Sequence, residues 1–349
     1  MRSVLLRLDL ARPWSGWDDP MLGAGWVWLA VGLIWIAVRV ARGTKWTIDD
    51  TFNFGLFAAA ALVGGFVLPA RGLESIPLFG YGLSVLVGFL AGTWLARRRL
   101  RSVGWPDDLA YRVGFWILLS GVAGARLFWL LQHGRDGFAG KSLPQAIGYA
   151  VNLSAGGLVL YGGVIAGAIA FFAFCWRYRL PVLRFADVLT PSVLVGIGFG
   201  RIGCLLNGCC FGDACELPWA ITFPADANPY QVLVSRGFLE RGQTLPLHPT
   251  QIYSTITAFL LAAATSLYFW RRSRDGSVLA LGLVGYAIGR FVVEFLRGDE
   301  LGQFGTSLTI SQWISLGMFA AGLGLATWLS RRERAAAPPQ EAEIPVAAA

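Results

Sequence analysis

The sequence predicts an all-α polytopic membrane protein. Hydrophobic residues make up 55% of the 349 residues and charged residues only 14%, and the mean hydropathy is +0.57. Soluble globular chains carry about 25% charged residues. Nine apolar windows approach the roughly 20 residues that a helix needs to cross a hydrocarbon core about 30 Å thick. Basic residues cluster between alternate windows, which is typical of multi-pass membrane chains.

The nine windows predict transmembrane helices at 22–42, 53–70, 81–96, 109–131, 156–176, 186–200, 253–270, 278–297 and 310–330. The first window lacks a small-residue cleavage site behind it, so we expect it to remain in the chain. The sixth window is short and rich in glycine, so we expect its end to be either irregular or buried in protein. Beyond residue 330, the low-complexity tail predicts disorder.

Arginine and lysine indicate the orientation, because short cytoplasmic loops retain them. Sixteen of the 29 basic residues fall on one side of the nine-helix arrangement. They are Arg39, Arg42, Lys45, Arg97, Arg98, Arg99, Arg101, Arg177, Arg179, Arg184, Arg271, Arg272, Arg274, Arg331, Arg332 and Arg334. That side is predicted to be cytoplasmic, which explains the net charge of +8 without a nucleic-acid partner. The N-terminus and the segments 132–155, 201–252 and 298–309 are then outside.

Ionisable residues at membrane depth are costly, so each is a candidate for function. Arg290, Glu294 and Arg297 are spaced i, i+4, i+7, which predicts one helical face. Two arginines against one carboxylate leave a positive charge, and the guanidinium fork suits phosphate oxygens. Arg201, at the outer end of another window, is a further candidate. The alternative is that Glu294 only neutralises its neighbours inside a packed bundle.

Three other ionisable residues each have a functional and a structural interpretation. Arg126 lies near the outer end of its window, where it either binds a ligand or extends to the interface. Asp187 is interpreted as an N-terminal cap of the sixth helix. His248 precedes Pro249 at a predicted helix start, where a structural hydrogen bond and proton transfer are the alternatives.

Four of the five cysteines cluster in or near "GRIGCLLNGCCFG", residues 200–212. Cys204, Cys209, Cys210 and Cys215 are spaced five, one and five apart, which fits a zinc site poorly. Disulfides of an oxidising compartment or free thiols are the structural alternatives. The sequence therefore predicts neither a metal nor another cofactor.

Six motifs together resemble the phosphatidylglycerol–prolipoprotein diacylglyceryl transferases of bacterial inner membranes. They occur in the family's order over about residues 77–330 and are "GYGLSVLVGFLAG", "GARLFWLL", "GGLVLYGG", "GRIGCLLNGCCFG", "HPTQIY" and "GRFVVEFLR". The resemblance implies a seven-helix transferase core at 73–330. Residues 1–72 are then two accessory N-terminal helices, 201–252 a periplasmic segment and 331–349 a cytoplasmic tail.

The resemblance also implies the site residues. These are Tyr81, Arg126, Arg201, Asn207, Gly212, Arg290, Glu294 and Arg297. The chain departs from the family at Tyr161, where relatives have histidine, and at Cys204 and Cys209, where they have asparagine and glutamate. We expect catalysis from Arg201, Arg290, Tyr161 and Glu294, with Arg126 and Arg297 assisting in binding the substrate. His248 is the reserve candidate for a base.

The function expected from the resemblance is transfer of an sn-1,2-diacylglyceryl group from phosphatidylglycerol to the lipobox cysteine of a prolipoprotein. The site would face the periplasmic leaflet of the bacterial inner membrane, among membrane lipids. Two alternatives are open. One is a membrane thiol oxidoreductase that uses Cys209 and Cys210, and the other is a non-catalytic lipid-binding relative.

Overall fold

A computed structural model describes most of the chain. The described residues are 4–9, 21–41, 75–138, 140–152, 156–225, 227–235, 244–297 and 302–331. The predicted second window, 53–70, and the predicted tail after residue 331 lie outside these ranges.

Helices dominate the described residues, which confirms the predicted all-α class. The described residues form ten helices: α1 Ala24–Ala41, α2 Gly80–Ser102, α3 Leu109–Phe138, α4 Leu143–Val151, α5 Leu160–Arg177, α6 Val182–Asn207, α7 Asn228–Ser235, α8 Thr250–Phe269, α9 Ser277–Glu294 and α10 Ile310–Arg331. Three strands accompany them: β1 Val4–Asp9, β2 Met21–Gly23 and β3 Ser75–Phe79. The strands were not predicted from the sequence.

Six of the helices are long and apolar enough to cross a membrane: α3, over Leu109–Gly134, and α5, α6, α8, α9 and α10. They coincide with the last six predicted windows, while α1 and α2 coincide with the first and third. Large apolar side chains cover their surfaces, such as Leu131, Ile169 and Trp176, which are 74%, 63% and 84% exposed. Such surfaces are stable against lipid and unfavourable in water. The chain is a multi-pass membrane protein.

Helix α6 corrects the prediction of a short, irregular sixth helix. It runs without a break over 26 residues although Pro191 lies inside it. Proline removes a backbone donor and leaves a carbonyl four residues earlier without its usual partner. Transmembrane helices tolerate this where hydroxyl groups, neighbouring helices or local adjustments compensate. For Pro191 the affected carbonyl is that of Asp187, and the Thr190 hydroxyl donates to the adjacent oxygen, that of Ala186, at 2.8 Å.

The chain divides into two compact units. Unit 1 comprises Met1–Leu86 and Ile202–Pro249. It contains a three-stranded sheet in the order β2-β1-β3, in which β1 runs parallel to β2 and antiparallel to β3. Its second part has a small core of Phe211, Phe223 and Leu247. The backbone of Leu247 exchanges hydrogen bonds with Ile221 in both directions, at 2.9 and 3.1 Å.

Unit 2 comprises Val87–Arg201 and Thr250–Ala349. Within it, α3 and α5 pack closely through Gly124 and Gly162. A side chain at Gly162 would collide with the Gly124 carbonyl oxygen, and one at Gly124 would collide with Ala166. Small residues let membrane helices approach this closely, which strengthens their dispersion contacts.

The predicted cytoplasmic end of unit 2 is held by polar contacts. Asp107, in the α2–α3 connection, accepts hydrogen bonds from Arg101 and Arg97, which hold the pKa of its carboxyl below the ordinary value. Asp187 is fully buried and accepts hydrogen bonds from the backbone N–H groups of Gly276 and Leu279, both at 2.8 Å. It therefore caps α9 and lies inside α6, so the prediction that it caps its own helix was wrong.

Candidate active site

The predicted arginine–glutamate group meets at the C-terminal end of α9. Glu294 is the last helical residue, and its side chain is fully buried. One carboxylate oxygen, Oε2, lies 2.5 Å from Nη1 of Arg290 and 3.4 Å from Nη1 of Arg297. Helix α9 ends three residues before Arg297, earlier than predicted. The turn that follows the helix nevertheless places the Arg297 guanidinium beside the Glu294 carboxylate. The predicted grouping of these three side chains is thus present.

Two polar residues outside the predicted set complete this group. Thr309 donates its hydroxyl to the other carboxylate oxygen, Oε1, at 2.7 Å, and Ser311 accepts from Nη2 of Arg290 at 2.9 Å. Both residues lie at the start of α10, which packs beside α9. Isolated serine and threonine residues at a helix start have no distinctive sequence signal, because most such residues are caps.

Arg290 and Arg201 line one narrow cleft, defined here as the arginine cleft. Its other lining residues are Ile197, Ser254, Thr257, Ala258, Tyr286 and Gly289. The cleft therefore lies among α6, α8 and α9, all within unit 2. Gly289 and Thr257 lie close together, since a side chain at Gly289 would meet the Thr257 methyl at 2.5 Å. The sequence predicted Arg201 and Arg290 as partners, while the hydroxyl-bearing side chains of the lining were missed.

The three arginines and Glu294 together carry a net positive charge. Arg201, Arg290 and Arg297 carry three positive charges, and Glu294 carries one negative charge within the same part of unit 2. Buried charges need partners, and hydrogen bonds to an ionised group are stronger than neutral ones. An anion with several oxygens, such as a phosphate diester, matches the surplus positive charge and the guanidinium donors.

Arg126 is buried, with only 6% of the residue exposed, so it does not extend to the interface. Its guanidinium donates to the backbone oxygens of Tyr149, Ala150, Gly156 and Gly157 at 2.6–3.0 Å. It also lies 4.4 Å from the centre of the Trp129 ring. Gly156 and Gly157 have φ values of 80° and 82°, a conformation that glycine adopts without strain. Arg126 thus anchors the segment that leads into α5.

Tyr161 follows this anchored segment directly. It is the second residue of α5 and is 38% exposed. Its hydroxyl is therefore held near a helix start whose entry is ordered by Arg126. A phenol at such a position can donate a hydrogen bond to a ligand.

The remaining predicted residues belong to unit 1. Tyr81 is 45% exposed, and its ring lies so close to Gly203 that a side chain there would approach it to 3.0 Å. Asn207 is exposed at the end of α6. The Gly212 N–H donates to the His248 oxygen at 3.1 Å, and the His248 N–H donates to the Asp213 oxygen at 2.9 Å. The turn after α6 and these backbone hydrogen bonds thus fix the positions of Asn207, Gly212 and His248.

In the part of the chain that the structure describes, one group of side chains is arranged so that it could hold a metal ion, and it consists of three cysteines. The sulfur atoms of Cys204, Cys209 and Cys210 lie within 4.8 Å of one another, although their sequence spacing favoured no metal site. None of the five cysteines forms a disulfide, and Cys175 is buried in α5, apart from the other four.

Comparison with known proteins identifies the chain's relatives. The sequence model of the prolipoprotein diacylglyceryl transferase family matches residues 70–328. A phosphatidylglycerol–prolipoprotein diacylglyceryl transferase of Clostridium tetani is 32% identical over 251 residues, which are 72% of this chain and 93% of the relative. One of Burkholderia multivorans is 33% identical over 74% of this chain and 92% of its own length. One of Rhodopirellula baltica is 27% identical over 88% of this chain and 86% of its own length.

Proposed function

The chain belongs to the prolipoprotein diacylglyceryl transferase family, and on that premise we propose that its arginine cleft holds the phosphate of the lipid donor. The enzyme transfers a diacylglyceryl group from phosphatidylglycerol to a prolipoprotein. We assign the acceptor to the thiol of the lipobox cysteine, so that the product is a thioether.

The reaction exchanges one bond at the glyceryl C3 carbon. The cysteine sulfur forms a bond to this carbon while the bond from carbon to the phosphate oxygen breaks. The electron pair leaves with glycerol phosphate, and the thiol proton passes to a base. Because an unperturbed thiol has a pKa of about 8.5, the site must favour the thiolate and stabilise the departing phosphate.

The phosphate assignment rests on the surplus positive charge beside Glu294. Arg201 and Arg290 face the same cleft, and Arg290 is already oriented by Glu294 and Ser311. Donors that are fixed before the reaction stabilise developing charge without reorganisation. We therefore assign the phosphate to Arg201 and Arg290, the orientation of Arg290 to Glu294, and an assisting charge to Arg297.

The other roles follow from position and acid–base chemistry. Tyr161 hydrogen-bonds the incoming thiol or the lipid headgroup, since a phenol hydroxyl is a hydrogen-bond donor and a poor base. Arg126 acts by holding the segment before Tyr161, because its donors already bind backbone oxygens. In unit 1, Tyr81, Asn207 and Gly212 are assigned to substrate binding, and His248 is the candidate base.

The proposed location is the bacterial inner membrane, with the site toward the periplasmic leaflet. Basic loops between alternate helices support this orientation. Phosphatidylglycerol would enter from surrounding membrane lipids, and the prolipoprotein signal peptide would present its cysteine at the same leaflet. Residues 73–330 are proposed as the transferase core and 1–72 as accessory, because every assigned residue lies beyond residue 72.

Transfer to a synthetic lipobox peptide in phosphatidylglycerol vesicles tests the proposal. Arg201→Ala and Arg290→Ala should each lower the rate by about 100-fold or more, which is typical for losing one preorganised charge donor. Arg290→Lys retains the charge but lacks the planar fork, so it should recover only part of the rate.

The matched control is Arg98→Ala, which removes an exposed arginine on the predicted cytoplasmic side. It should leave the rate unchanged. A folded Arg290→Ala enzyme with full activity would place the phosphate elsewhere. If the unmodified chain transferred no diacylglyceryl group at all, the alternative of a non-catalytic lipid-binding relative would be favoured.

A further inference from the structure

Three cysteines converge at the end of α6, and the proposed transfer mechanism does not use them. They are Cys204, in the last turn of the helix, and Cys209 and Cys210, in the turn that follows; this group is called the thiol cluster. Each residue is half-buried, and each thiol sulfur lies within 4.8 Å of the other two.

The backbone turn after α6 brings the three residues together. Gly208 has a φ of 71° and donates its N–H to the Leu205 oxygen at 3.2 Å, while the Cys209 N–H donates to the Cys204 oxygen at 3.0 Å. This pair of bonds is a Schellman motif, which reverses the chain over the last helical turn. Because the motif joins residues 204 and 209, it sets two of the three sulfur positions.

Cys210 takes its place through an unusual conformation. Its φ is 60°, in the left-handed region that non-glycine residues seldom adopt, at a cost of about 1–2 kcal/mol. Two successive reversals, at Gly208 and then at Cys210, turn the chain back so that adjacent cysteines both face Cys204. An extended backbone would direct the side chains of Cys209 and Cys210 to opposite sides.

The separations suit a soft metal ion. Zinc binds thiolates at about 2.3 Å, so three sulfurs around one ion lie about 3.8–4.0 Å apart. Sulfurs already within 4.8 Å of one another would therefore each move by about 1 Å or less. Hard ions such as Ca²⁺ and Mg²⁺ bind oxygen, whereas thiolates favour ions such as Zn²⁺ and Cu⁺.

We propose that Cys204, Cys209 and Cys210 form a binding site for a thiophilic metal ion of the zinc class, with a fourth position open to an external thiol. Zinc favours four ligands, and sites with three protein ligands keep one position for water or substrate. Half-buried sulfurs leave that position accessible. A thiol bound there would be deprotonated by the ion.

When the metal ion binds, it replaces the protons of the three thiols. Each of the three thiols releases one proton as its sulfur binds Zn²⁺, and no electron is transferred. The affinity should therefore increase with pH. The Cys209 thiol, which now donates to the Cys204 backbone oxygen at 3.7 Å, would give up that contact.

Cobalt titration of the full chain in detergent tests the site. After chelation, one equivalent of Co²⁺ should produce a sulfur-to-cobalt absorption band that Zn²⁺ then abolishes. Cys204→Ser, Cys209→Ser and Cys210→Ser should each weaken the band and lower the affinity by about 10-fold or more, since each removes one ligand. Cys215→Ser, which changes a half-buried cysteine outside the group, should leave the titration unchanged.

Thiol protection gives a second readout. At a Zn²⁺ concentration that just saturates the unmodified chain, the ion should shield three of its five cysteines from maleimide. In Cys209→Ser it should leave the two remaining cluster cysteines, Cys204 and Cys210, open to the reagent. Equal Co²⁺ binding by the cluster variants and the unmodified chain would overturn the proposal. So would a disulfide within the thiol cluster in protein purified without reductant.

The open position is tested on the Co²⁺-loaded chain with cysteine methyl ester and serine methyl ester. The thiol should change the cobalt absorption bands at concentrations where the alcohol does not. Identical spectra with the two esters would overturn the assignment of a thiol to the fourth position. Transfer activity does not enter this comparison, so its result is independent of the proposed function.

Discussion

Glu294 sets the net positive charge that it shares with Arg201, Arg290 and Arg297. Its carboxylate meets Arg290 through one oxygen and Thr309 through the other, while Arg297 lies 3.4 Å from the first oxygen. A carboxylate at a helix C-terminus faces the negative end of the helix dipole. Its position is stable because two guanidinium groups and one hydroxyl compensate. The same contacts hold Arg290 toward the cleft.

We predict that Glu294→Gln lowers kcat by about 10-fold or more, because Arg290 loses the buried ion-pair partner that orients it. The KM for phosphatidylglycerol should fall as well, since the cleft becomes more positive. Steady-state transfer kinetics at varied lipid fraction would measure both. Thr309→Val, which removes only a neutral donor, should change both constants less. A raised KM with unchanged kcat in Glu294→Gln would contradict an orienting role.

At the scale of the elements, contact between α3 and α5 depends on two glycines. Gly162→Ala should destabilise the protein by about 1–3 kcal/mol, the usual range for overpacking, because the new methyl group meets the Gly124 carbonyl. Gly196→Ala, in α6, is the matched control, since nothing lies within 4 Å of the added carbon. That control should be neutral or stabilising by up to about 1 kcal/mol. Thermal unfolding in detergent would compare them, and equal effects would argue against this contact.

The cap of α9 belongs to a different helix, and this arrangement also predicts a measurable effect. Asp187→Ala should destabilise unit 2 by about 3–5 kcal/mol, because it leaves Gly276 and Leu279 without their acceptor and Arg272 without its buried partner. Asp275→Ala is the control, since Asp275 is half exposed and lies 4.0 Å from Arg272. Chemical unfolding in detergent would measure both variants. Similar midpoints for the two would contradict a capping role for Asp187.

At the scale of the whole molecule, the alternating basic loops predict orientation. Single-cysteine labels in a variant lacking the native cysteines should report cytoplasm at residues 97–101, at residues 271–274 and in the C-terminal tail. A label at Gln243 should report periplasm. Membrane-impermeant maleimide applied to intact cells and to lysed cells would separate the two sides. An outward loop at residues 271–274 would overturn both the orientation and the leaflet assigned to the site.

The sequence by itself determined the class, the spanning helices and most of the arginine group. Apolar windows of fixed length follow from the thickness of the bilayer, and charge at membrane depth is rare enough to identify functional candidates. The i, i+4 spacing of Arg290 and Glu294 placed them together, because local helical geometry alone decides that contact. The family motifs then supplied the reaction.

Only the tertiary structure decided which side chains contact residues of other helices and loops. Asp187 caps α9 instead of α6, and Arg126 binds backbone oxygens at residues 149, 150, 156 and 157. Thr309 and Ser311 complete the Glu294 group. The thiol cluster is the clearest example, because its sequence spacing fits no common metal motif. Two residues with positive φ reverse the chain there, and a reversal joins side chains that no periodic pattern would bring together. Contacts set by such turns and by helix packing carry no fixed spacing in the sequence.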